Sequence, residues 1–157
     1  MEAKHKIYTA LQALTKIQDW CGYQERCQQE VRDKLYDYGL HSADVENIIS
    51  RLISDNFINE ERFAKAYAGG KFRIKKWGRV KIKMGLKAKR VSDYCIKKGL
   101  EEINHTDYIR ILKKILESKS ALLKEKNKIR KKYKLMQFAA AKGYEQEYIM
   151  EILNEGF

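Results

Sequence analysis

The chain reads as an all-α protein: about nine short helices in three tandem three-helix repeats, forming an elongated, curved body. Three observations point there. The 157 residues contain no proline, the residue that usually marks turns and strand edges. Lys, Glu, Leu, Ala and Ile, all compatible with helices, dominate the composition. Helix-start and helix-stop residues recur every 12 to 20 positions or so, the spacing of short helices with tight connections.

The elements follow in order. The N-terminus, MEAKHKIYTA, lacks the apolar stretch of a signal peptide. No apolar run approaches the ~18 residues of a membrane span. Cys21, Cys27 and Cys95 form no CxxC pair, so reduced, buried thiols and a cytoplasmic location are expected. ERCQQEVRDKLYDYGL, residues 25–40, ends a helix at Gly39. Ser42 then stands as an N-cap before VENIISRLI, with Val45, Ile48, Ile49 and Leu52 on one face. Asn59 is a further N-cap, Glu60 and Glu61 suit a first turn, and Phe63, Ala66 and Tyr67 make the apolar stripe. Gly69-Gly70 is expected to bend or end that helix. Ser92 and Thr106 are the next N-cap candidates. Gly22, Gly78, Gly99 and Gly143 fall where turns are expected.

An apolar quartet repeats along the chain. Leu35, Leu40, Val45 and Ile49 are matched by Leu86, Val91, Ile96 and Leu100, and again by Ala139, Tyr144, Ile149 and Leu153. In each copy the first residue ends one helix, the second covers a turn and the last two line the next helix. Gly39, Arg90 and Gly143 hold the helix-stop position. The repeat divides the chain into units 1–57, 58–104 and 105–157, each touching its neighbours.

Charge is blocked. The formal net charge is +12, yet residues 71–98 alone hold 12 basic and 1 acidic side chains, and residues 110–134 hold 11 and 2. Such blocks are best tolerated facing solvent or an anionic partner. The densest stretch is KFRIKKWGRVKIK, residues 71–83. A helix ending near Lys75 or Lys76 and restarting after Gly78 would bury one apolar stripe, with Val80 and Met84 on it and Ile82 off it. Trp77 is read as a core or turn anchor; a platform for base stacking is the alternative. Arg73 and Arg79 are the leading contacts for phosphate or carboxylate, because guanidinium pairs bidentately. Lys71, Lys75, Lys76, Lys81 and Lys83 add a basic field, continued by Lys87, Lys89 and Arg90. In the second block, Lys128, Arg130, Lys131 and Lys132 are candidates, and Ile129 and Tyr133 are expected to face the core. The two blocks could form one stripe.

No HExxH, GxSxG or phosphate loop is present, and His5, His41 and His105 are scattered. A non-enzyme without metal or cofactor is expected.

FINEERFAKAY, residues 57–67, followed by WGRVKIKMGLKAKRVS, residues 77–92, resembles the RecX family of regulators of the RecA recombinase. Ile58, Asn59, Glu60, Glu61, Arg62, Phe63, Ala64 and Tyr67 fit the first family pattern, and Trp77 and Gly78 open the second. The likeness is clearest over residues 10–104; from 105 to 157 mainly the spacing and GYEQEYIMEIL carry it. Arg90 departs from the family, standing where Gly is usual. The resemblance implies an all-helical monomer in the cytoplasm, without enzymatic activity. Its partners would be the RecA filament and single-stranded DNA, met directly or through the filament. It would modulate, and most often inhibit, filament growth, ATP hydrolysis and strand exchange. Its motif residues would be mainly structural and its basic residues the contacts. A general helical nucleic-acid-binding protein acting through a basic stripe is the alternative.

Overall fold

The computed structural model describes residues 7–156; His5 lies outside them. Among the described residues there are nine α-helices and no strand. They are α1 (Ala10–Tyr23), α2 (Gln28–Asp37), α3 (Ser42–Ser54), α4 (Glu60–Gly70), α5 (Arg79–Ala88), α6 (Asp93–Leu100), α7 (His105–Leu122), α8 (Lys128–Ala141) and α9 (Gln146–Glu155). No described helix is long and apolar enough to cross a membrane.

Polar caps start most helices. Thr9 and Gln12 form a reciprocal capping box on α1. The Asn59 side chain accepts from the Arg62 N–H at 2.8 Å, and Ser92 and Asn104 cap α6 and α7 in the same way. Two expected caps move by one or two residues. His41, not Ser42, precedes α3, and Asn104, not Thr106, precedes α7. In both places the expected residue sits just inside the first turn.

Helix ends reproduce the sequence repeat. Gly39, Arg90 and Gly143 all have positive φ, at 86°, 60° and 99°. At each, the next amide bonds back to the first member of the apolar quartet: Leu40 to Leu35 at 3.5 Å, Val91 to Leu86 at 3.1 Å, Tyr144 to Ala139 at 3.2 Å. This is the Schellman closure, which satisfies carbonyls that a helix end leaves open. Arg90 adopts the left-handed conformation that glycine takes in the other two copies, at about 1–2 kcal/mol for an L-residue. The same turn recurs a fourth time, at Asn56 with φ 62°, where the Phe57 amide returns to Leu52 at 2.8 Å.

Gly69-Gly70 does not stop α4. The helix runs on through Lys71–Lys75 as a π segment and ends at Lys76, whose φ is 57°. Gly22 and Gly99 lie inside the last turns of α1 and α6 rather than in connections. Gly99 is needed there because α6 crosses α4 closely: a Cβ on it would stand 2.6 Å from the Ala64 carbonyl oxygen.

Two apolar cores form. One holds α1 to α3 together with Ile58. The other holds Phe63 through Ile152 along α4 to α9, and reaches back to Cys27. The second and third sets of helices therefore share one interior. This shared core overturns the expected stripe on α5. Ile82 and Leu86 are fully buried, whereas Val80 and Met84 are exposed. Ile129 and Tyr133 are exposed as well, at 82% and 59%, and α8 packs through Leu135 and Ala139 instead. On α4, Ala66 faces solvent while Ala64 and Ala68 are buried.

Candidate functional site

The first basic block is sorted by helix geometry into groups that do different things. Arg79, Lys83 and Lys87 recur every fourth residue and so share one face of α5. That face lines a groove of about 590 Å³, closed on the far side by Lys97 of α6. Ile96, Leu100 and Ile103 supply an apolar floor, and Asp93 and Glu101 stand at the rim. Lys83, Lys87 and Lys97 have no acidic partner among the described residues. Three unpaired ammonium groups around one concave surface attract an anion that brings its own charge.

Arg79 is already held inside the fold. Its guanidinium lies 3.9 Å over the Tyr108 ring, 3.5 Å from Glu145 and 3.2 Å from Nδ1 of His105. It positions the groove's end more than it reaches outward. Its backbone N–H donates to the Tyr108 hydroxyl at 3.0 Å, and that hydroxyl donates to the Glu145 carboxylate. Burial, reinforced by the bond to Glu145, drives the Tyr108 hydroxyl far above the ordinary tyrosine range. It is a fixed structural bridge and not a titrating group.

Trp77 is half-buried against the second core. The ammonium groups of Lys71 and Lys81 stand over its ring at 4.8 and 4.5 Å. This is the geometry of an anchor, with two of the predicted contact lysines bound to it. Lys89 pairs with Glu30 at 3.4 Å. Arg73, Lys75, Lys76 and Arg90 remain exposed, and the Arg73 guanidinium folds over Gly69, where a Cβ would meet it at 2.7 Å.

In the second block, Lys128 and Arg130 are exposed while Lys131 and Lys132 are half-buried; Lys132 donates to Asn154 at 2.5 Å. No hydrogen bond or ion pair links this block to residues 71–90 among the described residues. Lysines that sequence reasoning passed over, Lys97 above all, complete the groove instead. Their signal was present in the i, i+4 spacing of Lys83 and Lys87, which needs a partner wall, but the wall is set by how α6 packs.

The side chains of the FINEER stretch make contacts within the fold. Ile58 is buried in the first core, Phe63 and Ala64 in the second. Glu60 accepts from the Gln28 N–H at 2.6 Å, and burial raises its carboxyl above the usual range. Glu61 pairs with Lys65 at 3.4 Å on the helix surface. Arg62 clamps Glu25 at 2.6 Å and also donates to the Asn56 and Phe57 carbonyls. Tyr67 packs on Phe63 with ring centres 5.8 Å apart. Gly78 N-caps α5 and donates its N–H to the Lys142 carbonyl at 2.8 Å.

Comparison with known proteins gives a consistent result. Residues 13–52 match the RecX first three-helix domain and residues 59–100 the RecX second three-helix domain. The regulatory protein RecX of Clostridium acetobutylicum is 29% identical, over 100% of this chain and 72% of its own length. That of Clostridium tetani is 33% identical over 83% of this chain and 60% of its own. For Bacillus cereus strain B4264 the identity is 29%, over 98% of this chain, which spans 55% of that relative. The crystal structure of RecX from Lactobacillus salivarius superposes with a TM-score of 0.84 at 23% identity, covering 93% of this chain and 95% of its own; at that identity the likeness speaks for the fold. The two matched domains take in just over half of the chain, and the chain belongs to the RecX family of regulatory proteins.

Proposed function

We propose that this chain regulates the RecA recombinase by binding the RecA–single-stranded DNA filament and inhibiting its growth, ATP hydrolysis and strand exchange. The carrying observation is the α5–α6 groove, where Lys83, Lys87 and Lys97 present unpaired charge within a segment that matches the family. A concave basic surface on an elongated helical body suits a filament groove, in which phosphate and acidic protein side chains alternate. The action is by binding, as a monomer in the cytoplasm, and calls on no catalytic group. The units 1–57, 58–104 and 105–157 would be its three docking segments, the second supplying the main contact. Single-stranded DNA is met directly or through the filament.

The test is RecA ATP hydrolysis on single-stranded DNA with substoichiometric amounts of the chain. Inhibition is expected well below one copy per recombinase subunit. Reversing Lys83, Lys87 and Lys97 to Glu should weaken that inhibition by about ten-fold or more. Full inhibition by the triple variant removes the groove from the contact surface. Salt separates this reading from simple coating of DNA. On a single strand, three phosphate contacts predict about a twenty-fold loss of affinity between 50 and 200 mM salt, whereas 6–10 contacts predict a loss of roughly several hundred- to ten-thousand-fold.

A further inference from the structure

A second groove carries a separate reading. Helix α7 has more apolar surface than its core can use. Tyr108, Leu112 and Leu116 are fully buried, but a second stripe, Ile111, Ile115 and Leu122, runs beside them. Ile111 and Ile115 are only half-covered, and Leu122 is 76% exposed. With Phe138 of α8 this stripe forms the floor of a groove of about 510 Å³. From Ile111 to Leu122 the floor extends about 16 Å along the helix, which is the length of a short peptide segment rather than of a small metabolite.

The rim is uniform in charge. Lys76, Lys114, Lys119 and Lys142 surround the floor, and no acidic residue lines it. None of the four is ion-paired among the described residues. An apolar floor inside a purely cationic rim is complementary to a segment with apolar anchors and flanking carboxylates. Nucleic acid fits less well. The aromatic surface that a base would need is the Phe138 ring, and the ammonium groups of Lys119 and Lys142 already stand over it at 4.7 and 5.6 Å. Lysines held there meet carboxylates without displacing anything.

We infer that the α7–α8 groove docks an acidic, amphipathic peptide segment of a partner protein, its apolar side chains on Ile111, Ile115 and Leu122 and its carboxylates on the lysine rim. The groove lies on different helices from the Lys83–Lys97 surface, so each reading survives the failure of the other.

The experiment uses the full chain with labelled Ile and Leu methyl groups, followed by NMR. The probes are a helical peptide of about 15 residues, or four turns, with Leu at i, i+4 and i+7 and Glu elsewhere, its scrambled version, and an oligothymidylate. The amphipathic peptide should shift the Ile111, Ile115 and Leu122 methyls and the scrambled one should not. Lys114→Glu with Lys119→Glu should weaken binding about ten-fold. Ser118→Trp, which fills the groove without changing its charge, should abolish it, while distant methyls report an intact fold. Equal binding of the scrambled peptide would reduce the site to bare charge and overturn the inference. Tighter binding of oligothymidylate at the same methyls would overturn it in favour of nucleic acid. The wild-type comparison decides even if a variant fails to fold.

Discussion

The two seams of this molecule are built from opposite materials. Between α1–α3 and α4–α6 the contacts are mostly side-chain and ionic: Arg62 on Glu25 at 2.6 Å, Lys89 on Glu30 at 3.4 Å, and the Gln28 amide on Glu60 at 2.6 Å. Cys27 is the buried apolar side chain that crosses. Between α4–α6 and α7–α9 the backbones themselves meet. The Gly78 and Val80 amides donate to Lys142 and Gly143 carbonyls at 2.8 and 2.9 Å, and the Tyr144 hydroxyl reaches the Lys76 carbonyl at 2.9 Å. A common core lies beneath. Ion pairs a third exposed contribute little and yield readily. Backbone contact over a shared core has no such latitude. The first seam is therefore the looser one, the hinge of a bend if the chain follows a filament as proposed, and the second is the weld.

The largest effect should come from breaking the weld. A Cβ on Gly78 collides with the Gly143 carbonyl, which is backbone and cannot swing away. Gly78→Ala should cost about 3 kcal/mol or more, a fall of roughly 10 °C in Tm for a chain of this size. Gly70→Ala, where a Cβ meets open space inside a helix, should be neutral or stabilising by comparison. Equal melting of the two variants would mean that the seam tolerates separation.

Next comes Tyr108→Phe. It strips the hydroxyl that receives the Arg79 N–H and holds Glu145, leaving a half-buried donor unsatisfied. About 2 kcal/mol should be lost in denaturant unfolding. A loss near zero would show that water replaces the hydroxyl and that the weld rests on glycine contact alone.

At the hinge the effects are smaller. Arg62→Ala should cost only about 1 kcal/mol, because the pair with Glu25 is over a third exposed on one side. Its sharper signature is kinetic. Cys27 is fully buried and its thiol is pushed up to about 12 by burial, so it alkylates only when the seam opens. Site-resolved labelling of Cys27 in Arg62→Ala should run about five-fold faster than in the parent chain. An unchanged rate places the hinge elsewhere.

The smallest effect is a pH dependence. Burial raises the Glu60 carboxyl above its ordinary value of 4.5. The folded state then holds a proton more tightly than the unfolded one. Stability contributed at this site is greatest at low pH and declines as pH rises from about 4.5 through the raised pKa. Glu60→Gln keeps the acceptor for Gln28 and removes the charge. Its stability relative to the parent should therefore climb between pH 4.5 and neutrality. A relative decline would mean that the bond to the Gln28 amide outweighs burial.

Much of the fold was legible in the residues. The quartets beginning at Leu35, Leu86 and Ala139 lie at equivalent turns, and Arg90 takes the left-handed place of Gly39 and Gly143. Asn59 and Ser92 cap where expected. These are short-range matters: caps, stops and one apolar stripe are settled within a few residues of chain. Less was legible at α5. Two stripes were available there, Val80–Met84 and Ile82–Leu86, and nothing local ranks them. Helices α7–α9 settled it by sharing a core with α4–α6, and that burial selected Ile82 and Leu86. Ile129 and Tyr133 were misplaced for the same reason. The site divides likewise. That residues 71–98 carry the charge is plain from composition. Which basic side chains are spent, Lys71 and Lys81 on Trp77, Lys89 on Glu30 and Arg79 on Tyr108, and which stay free beside Lys97, depends largely on groups brought close by packing. Local patterning dictates helices, their ends and the sign of the surface, since those energies act between near neighbours. Partner choice among equivalent stripes and equivalent charges is long-range, and it is resolved when the helices pack.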